Sequence, residues 1–313
     1  MASRRSRVQI PAGPPSYKFS IILGSPLTLK NVPERKLMGY ENQLKVGIAM
    51  GSKVSRGESI VTLVFGYPGT GKSSYPFVLA RFLNAKCNKR ISCCYVRCDR
   101  FAYETLVNPQ MIAQLQQAYE WAKSNTPVIW IFDEVDSLVP RRYLVPHMRP
   151  WFLDFLDRVE IDEGFLVIGI TNNPENLDDA VRRRIMRSPI YFEPTPPDVL
   201  KRIIRAYLDT ERCNEIYERL SNELNKLNLR VLAGSLVRAC SYVRKACQDI
   251  AQMTVDQIVE ELMCHIGAES KTWVDDYEHR LRAFIRLSQQ YVIPRWLKEF
   301  DREFHGMSLD IYP

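Results

Sequence analysis

The chain has 313 residues and a net charge of +7, a length that suits one large domain or two modest ones. At 46% hydrophobic and 25% charged it has an ordinary globular composition, and no run approaches the roughly 18 apolar residues of a membrane span. Pro11, Pro14 and Pro15 interrupt any secretory leader after the basic start, so membrane and secreted classes are excluded and a cytoplasmic protein is expected.

Residues 1–36 read as an extended basic arm. Arg4, Arg5, Arg7, Lys18, Lys30, Arg35 and Lys36 stand there against Glu34 alone, which places nearly all the net charge in the arm. A nucleic-acid partner would be sought in this arm and not in the folded body. Val8-Gln9-Ile10-Pro11 can be encoded by a sequence like the T-arm of a transfer-RNA gene, which would make the first fifteen or so residues either an over-extended reading frame or the scar of an element integrated at such a gene.

The globular part begins at Leu37, with a helix through Leu44, Val46, Gly47 and Ile48. The β-branched run Ile60–Phe65 reads as a buried strand, followed by a helix with Phe77, Leu79, Ala80 and Phe82 on its apolar face. Ile91–Val96 is a second strand. Pro109 should open a helix in which Ile112, Leu115, Tyr119 and Ala122 recur at spacings of 3, 4 and 3. Val128–Phe132, Phe165–Ile170 and Ile190–Phe192 supply three more strands, and a helix is predicted over 147–159. This alternation predicts an α/β nucleotide-binding domain over 37–194 with a five-stranded parallel sheet.

Beyond Pro194-Thr195-Pro196-Pro197 the pattern turns helical and no strand is expected. Helices are predicted from Pro197, over 213–224, 231–247, 255–265 and 273–287, with Pro294 breaking the last before a short terminal helix. These form a helical lid over 195–267 and a C-terminal helical extension over 268–313. The aromatics Trp273, Tyr277, Phe284, Tyr291, Trp296 and Phe300 read as the core of the helical domain, with partner specificity as the alternative. Cys87, Cys93, Cys94, Cys98, Cys213, Cys240, Cys247 and Cys264 lack zinc-ligand spacing and read as buried thiols.

The chemistry gathers at three strand ends. Gly66-Tyr67-Pro68-Gly69-Thr70-Gly71-Lys72-Ser73, followed by Ser74, fills every fixed position of the phosphate-binding loop G-x-x-x-x-G-K-[ST]. Its glycines let consecutive N–H groups face one anion, Lys72 reaches the β- and γ-phosphates, and Ser73 takes one position on Mg²⁺. Asp133-Glu134 ends the strand Val128–Phe132, where Asp133 would hold the metal through water and Glu134 would activate the attacking water. Asn172 tips the neighbouring strand, within reach of the γ-phosphate. Arg182-Arg183-Arg184 follow, and a guanidinium can stabilise charge on a transferring phosphoryl group, often in trans.

Together these stretches resemble the AAA family of the AAA+ ATPases over roughly residues 37–250, more closely than they resemble clamp loaders or replication initiators. Asp133 to Arg142 is similar to that family's extended Walker B segment, and Thr171-Asn172-Asn173-Pro174 through Arg184 to its second region of homology. The resemblance implies that Asn172 is the sensor-1 residue and that Arg183 and Arg184 are the arginine-finger candidates. It also implies a ring, usually a hexamer, and places Gly39-Tyr40 and Gly234 near the adenine. Three departures stand out. Leu106-Val107-Asn108-Pro109 occupies the pore-loop position without its aromatic, although Phe101 and Tyr103 lie close. Tyr143 to His147 replaces a glycine-rich loop. No sensor-2 arginine stands at the usual spacing, and Arg238, the nearest, reads as a solvated helix face.

The expected function is therefore an ATPase using Mg-ATP at subunit interfaces of a ring to remodel a protein or protein complex. The alternative is a DNA-directed ATPase, in replication or packaging, of a mobile element.

Overall fold

The computed structural model describes residues 18–21, 27–28, 37–85, 91–107, 111–141, 148–208, 210–247, 250–307 and 309. Two short strands, β1 (Lys18–Ile21) and β2 (Leu27–Thr28), precede helix α1 (Glu41–Val54). Next come β3 (Ile60–Gly66), α2 (Tyr75–Ala85), β4 (Ser92–Arg97), α3 (Cys98–Val107) and α4 (Met111–Ser124). The opening of α4 expected at Pro109 lies outside the described residues. The second half of the α/β body holds β5 (Val128–Asp133), α5 (Val135–Leu138), α6 (Met148–Ile161), β6 (Phe165–Thr171), α7 (Asp179–Ile185) and β7 (Ile190–Phe192).

The strands form one sheet in the order β2-β1-β4-β5-β6-β3-β7. The five strands from β4 to β7 are mutually parallel, β1 adds to their edge in parallel, and β2 pairs with β1 antiparallel. Part of the 1–36 arm thus extends the sheet. Parallel strands buried on both faces carry unbroken apolar runs, which is why β5 and β6 are buried along their whole length. Side chains alternate between two cores. Leu63, Phe65, Trp130 and Phe132 face a layer that includes Leu115, Phe152, Phe155 and Val181. Val64, Ile129, Ile131 and Ile168 face a layer that includes Leu44, Ile48, Phe77 and Leu79.

The lid comprises α8 (Pro197–Leu208), α9 (Cys213–Lys226), α10 (Ala233–Ala246) and α11 (Val255–His265) around a third core that includes Ile203, Ile204, Leu236 and Leu262. The absence of strands expected here fails in one place. β8 (Leu229–Val231) pairs antiparallel with β9 (Ala268–Ser270), three residues each, too short to show alternation in the sequence.

The last helices do not form the core of the helical domain. α12 (Lys271–Leu287) packs Trp273, Val274, Tyr277, Leu281 and Phe284 into the first sheet core. α13 (Ile293–Glu303) packs Trp296 and Phe300 into the second, against α1. Between them Ser288–Val292 forms a π-helical turn that carries α12 into α13, so the break expected at Pro294 does not occur and the proline sits in the first turn of α13. Tyr291 stays exposed. A strap thus runs from the lid back across both faces of the α/β body. Phe300 is 2% exposed, so Phe300→Ala should lower unfolding free energy by about 3–5 kcal/mol in urea titration. A loss below about 1 kcal/mol would show that α13 is not part of the cooperative unit.

Candidate active site

Ligands of open α/β sheets bind beyond the carboxyl ends of the strands. Here β6 lies between β5 and β3, so the loop after β3, the acids ending β5 and the asparagine after β6 share one edge. The phosphate-binding loop is compact: Gly69 and Gly71 take positive φ of 72° and 97°, and Thr70 Oγ1 donates to the Tyr67 carbonyl at 2.8 Å. Lys72 Nζ donates to the same carbonyl and lies 3.5 Å from Thr70 Oγ1, so a buried ammonium sits beneath the loop. Burial lowers its pKa to about 7, against the opposing pull of Asp133.

Ser73 Oγ donates to Asp133 Oδ1 at 3.1 Å, and Tyr95 Oη donates to Asp133 Oδ2 at 3.0 Å. A hydroxyl and a carboxylate joined beneath a phosphate loop are the oxygen donors Mg²⁺ prefers, so the residues present fit that ion. Sequence reading missed Tyr95. Its signal is the register of β4 on β5, which sets Tyr95 beside Ile131, two residues from the acid.

Glu134 takes a left-handed backbone, φ 57° and ψ 47°, at the N-cap of α5. That conformation costs a non-glycine residue about 1–2 kcal/mol, and Glu134 is exposed there at the site edge. Burial, then Asp99 and Asp133, push its carboxyl above the ordinary range. Asp99 is its near neighbour. Burial alone would raise Asp99 too, but Arg97 donates Nε and Nη2 to its two oxygens, each at 3.0 Å, and holds its carboxyl below the usual range. The Arg97–Asp99 pair is a second feature that spacing did not reveal.

Asn172 enters through its backbone as well, since Tyr277 Oη on α12 donates to its carbonyl at 2.7 Å. Below it, Thr171 Oγ1 donates to Asp136 Oδ1 at 2.6 Å and ties β6 to α5. Asp178 caps α7, accepting from the Ala180 and Val181 amides at 2.9 and 3.2 Å and from Arg149 Nε at 2.9 Å. This fixes three arginines in different directions. Arg182 pairs with Asp179 and lies over Phe284, and Arg184 binds Asp157 at 2.7 Å. Arg183 is exposed, with its Nε on the Asp179 carbonyl at 3.3 Å.

The nucleoside side of the site differs from expectation. A cavity of about 260 Å³ beside the loop is lined by Leu37, Met38, Gly69–Gly71, Ser74, Ile203, Tyr207, Ala233, Gly234 and Val237. Gly234 N donates to Gly69 O at 2.7 Å, and a Cβ there would meet that oxygen at 2.8 Å, so only glycine lets α10 approach the loop this closely. Gly39 and Tyr40 lie behind this wall. A Cβ on Gly39 would run into Val199, and the buried Tyr40 ring stacks on Phe192 while its hydroxyl donates to Glu193 O at 2.8 Å. Tyr67 likewise turns away, its ring packed on Tyr277 and its hydroxyl on the Val274 carbonyl at 2.9 Å, leaving its backbone to the loop. Leu37 and Met38, with Ile203, Tyr207 and Val237 on lid helices, supply the apolar wall instead. At the pore-loop position, Phe101 is buried, Tyr103 is 71% exposed on α3, and residues 108–109 lie outside those described, as does 143–147. Arg238 is exposed, its Nη2 on Ser235 Oγ at 3.2 Å.

Residues 62–194 match the family model described as "ATPase family associated with various cellular activities (AAA)". The chain carries an AAA domain. The ATPase histone chaperone abo1 of Schizosaccharomyces pombe is 33% identical over 154 residues, 46% of this chain and 12% of that protein. Spastin of Xenopus laevis is 26% identical over 221 residues, 68% of this chain and 34% of that protein. The chain thus spans only a minor part of these relatives. The crystal structure of the FIGL-1 AAA domain superposes with a TM-score of 0.57 at 21% identity, covering 80% of this chain and 87% of that one, and its ADP complex gives 0.56. The fold is therefore that of an AAA domain, a parallel α/β body with a helical part. Among the described residues, no helix is long and apolar enough to cross a membrane.

Proposed function

We propose that this chain is the subunit of an ATP-hydrolysing ring, a homo-hexamer, that remodels a protein or protein complex. The observation that carries the reading is the Ser73–Asp133 bond beside buried Lys72, with Glu134 exposed at the same edge. The loop amides and Lys72 bind the phosphates, and the wall from Leu37 to Val237 takes the base. Ser73 and Asp133 would hold Mg²⁺, which when bound would supply charge neutralisation at the phosphates. Glu134 accepts a proton from the attacking water, Asn172 orients that water or the γ-phosphate, and an arginine of α7 from the next subunit stabilises the developing charge. The relatives' printed names, a histone chaperone among them, support a protein substrate. The test is steady-state ATP hydrolysis across protein concentration, alone, with unfolded protein and with DNA. A specific rate that rises with concentration and responds to protein supports the reading. Stimulation by DNA alone that survives deletion of residues 1–36 would replace it with the DNA-directed alternative.

Lys72 makes binding depend on pH. A triphosphate favours the charged lysine, so above about pH 7 the bound state holds a proton that the free protein lacks. Affinity should then fall with rising pH, by up to about tenfold per unit. Titration calorimetry at pH 8 in buffers of different ionisation enthalpy should report about one proton taken up per nucleotide. Absence of uptake would mean that Lys72 is already charged before binding.

A further inference from the structure

A second cleft, of about 680 Å³, opens between the end of β7, the lid strand β8 and the outer face of α12. It shares no lining residue with the nucleoside cavity. Tyr191 and Glu193 line it from β7 and the segment after it, Arg230 from β8, and Asp275, Glu278 and Arg282 from α12. Three acids and two arginines thus face one space, yet among the described residues none of them forms an ion pair. Their neighbours do: Arg280, two residues before Arg282, binds Glu175 at 2.9 Å, and Arg202 and Arg219 of the lid bind Glu41 and Asp256.

An independent observation marks the inner wall. Tyr191 is 2% exposed and its hydroxyl forms no hydrogen bond of ordinary geometry, with the Tyr67 hydroxyl and the Glu278 carboxylate close by, a state native proteins rarely leave unexplained. Beside it Glu193 is half-buried and accepts only a long 3.5 Å contact from Gln289 Nε2. Burial, then Glu278, raises the Glu193 carboxyl, so the two carboxylates are close enough to repel. Two carboxylates and a phenol oxygen at one end of a cleft can accept but have little to donate. A lysine ammonium or arginine guanidinium is the complementary group, since it only donates. A ligand that was simply cationic would meet Arg230 and Arg282, and a simple anion would meet three acids. No cluster of His, Cys, Asp and Glu that could hold a metal occurs among the described residues.

We propose that this cleft binds a ligand of mixed charge, lodging a lysine or arginine group against Glu193, Glu278 and the Tyr191 hydroxyl while an acidic group faces Arg230 and Arg282. The favoured occupant is a peptide segment of another protein, because the cleft's volume exceeds what one amino acid fills. Arg230 belongs to the lid, whereas Glu193 and Glu278 belong to the body and its strap. The occupant therefore bridges the linker Pro194–Pro197 and ties the lid's position to partner binding, away from the phosphates.

The full-length protein would be titrated in a calorimeter with a terminally blocked peptide of alternating lysine and glutamate, and separately with spermidine. Binding of the peptide should weaken about tenfold or more in Tyr191→Phe and in Glu193→Gln, as loss of a charge-assisted bond predicts. Glu278→Gln repeats the test at an exposed position where folding is not at stake. Binding of spermidine with the same losses, without peptide binding, would keep the cation site and make its occupant a free polyamine. Absence of binding by both probes, or binding unchanged in all three variants, would overturn the proposal. In the first of these cases Tyr191→Phe should do no more than raise the unfolding temperature.

Discussion

Glu134→Gln should bind nucleotide within a few-fold of wild type and turn it over about 10²–10⁴-fold more slowly. The amide keeps the size of the carboxylate and can hold a water, but it cannot take the proton. The left-handed backbone at Glu134 does not depend on the side chain's charge, so the change removes the proposed base and leaves the frame in place. Because burial, Asp99 and Asp133 raise the Glu134 carboxyl, wild-type turnover should increase with pH as that group ionises. Asp99→Asn removes one of the neighbouring charges, and the acid limb of the rate profile should move to lower pH. Steady-state rates over pH, with fluorescent-nucleotide binding as the control, measure both effects. A Glu134→Gln protein that hydrolyses ATP at the wild-type rate would remove Glu134 from the role of base.

Arg183→Ala should cost about 10³–10⁵-fold in turnover and leave nucleotide binding to the isolated subunit unchanged. The three arginines of α7 are not equivalent. Arg182 is held between Asp179 and Phe284, and Arg184 is engaged by Asp157. Arg183 is the one exposed to solvent, held only through a carbonyl of its own helix. A guanidinium paired with a carboxylate in its own subunit has less to offer a phosphoryl group in the next. Arg184→Ala should therefore cost less than Arg183→Ala, with part of its effect a loss of anchoring between α7 and α6. Equal losses of turnover in the two variants would return Arg184 to the same standing as Arg183.

Much of the body was legible because its signals are local. A strand buried on both faces reads as an apolar run, and Ile60–Phe65, Val128–Phe132 and Phe165–Ile170 do so. The phosphate loop has fixed spacing, and the acids of Asp133-Glu134 end such a run. Spacing does not say which way a side chain faces once neighbours compete for it. Tyr40 and Tyr67 stand in the right segments, yet each ring finds a denser aromatic contact behind the site, on Phe192 and Tyr277. Tyr95 and Asp99 were silent because parallel register, not proximity in sequence, brings β4 to β5. The aromatic stripes of α12 and α13 announced burial but not their partner. Apolar periodicity gives a face, and only the chain's return across the sheet shows that the face meets the body and not the lid.

A site shared between subunits is tested most directly by mixing two inactive proteins, Glu134→Gln and Arg183→Ala. In the proposed ring each site needs Glu134 from one subunit and Arg183 from its neighbour. Random co-assembly in a ring of head-to-tail interfaces should therefore rebuild about a quarter of the sites in an equal mixture. ATP hydrolysis should reappear on mixing and peak near equal proportions. If the two proteins co-assemble and both bind nucleotide, yet no ratio restores hydrolysis, then the arginine of one subunit does not complete the site of the next.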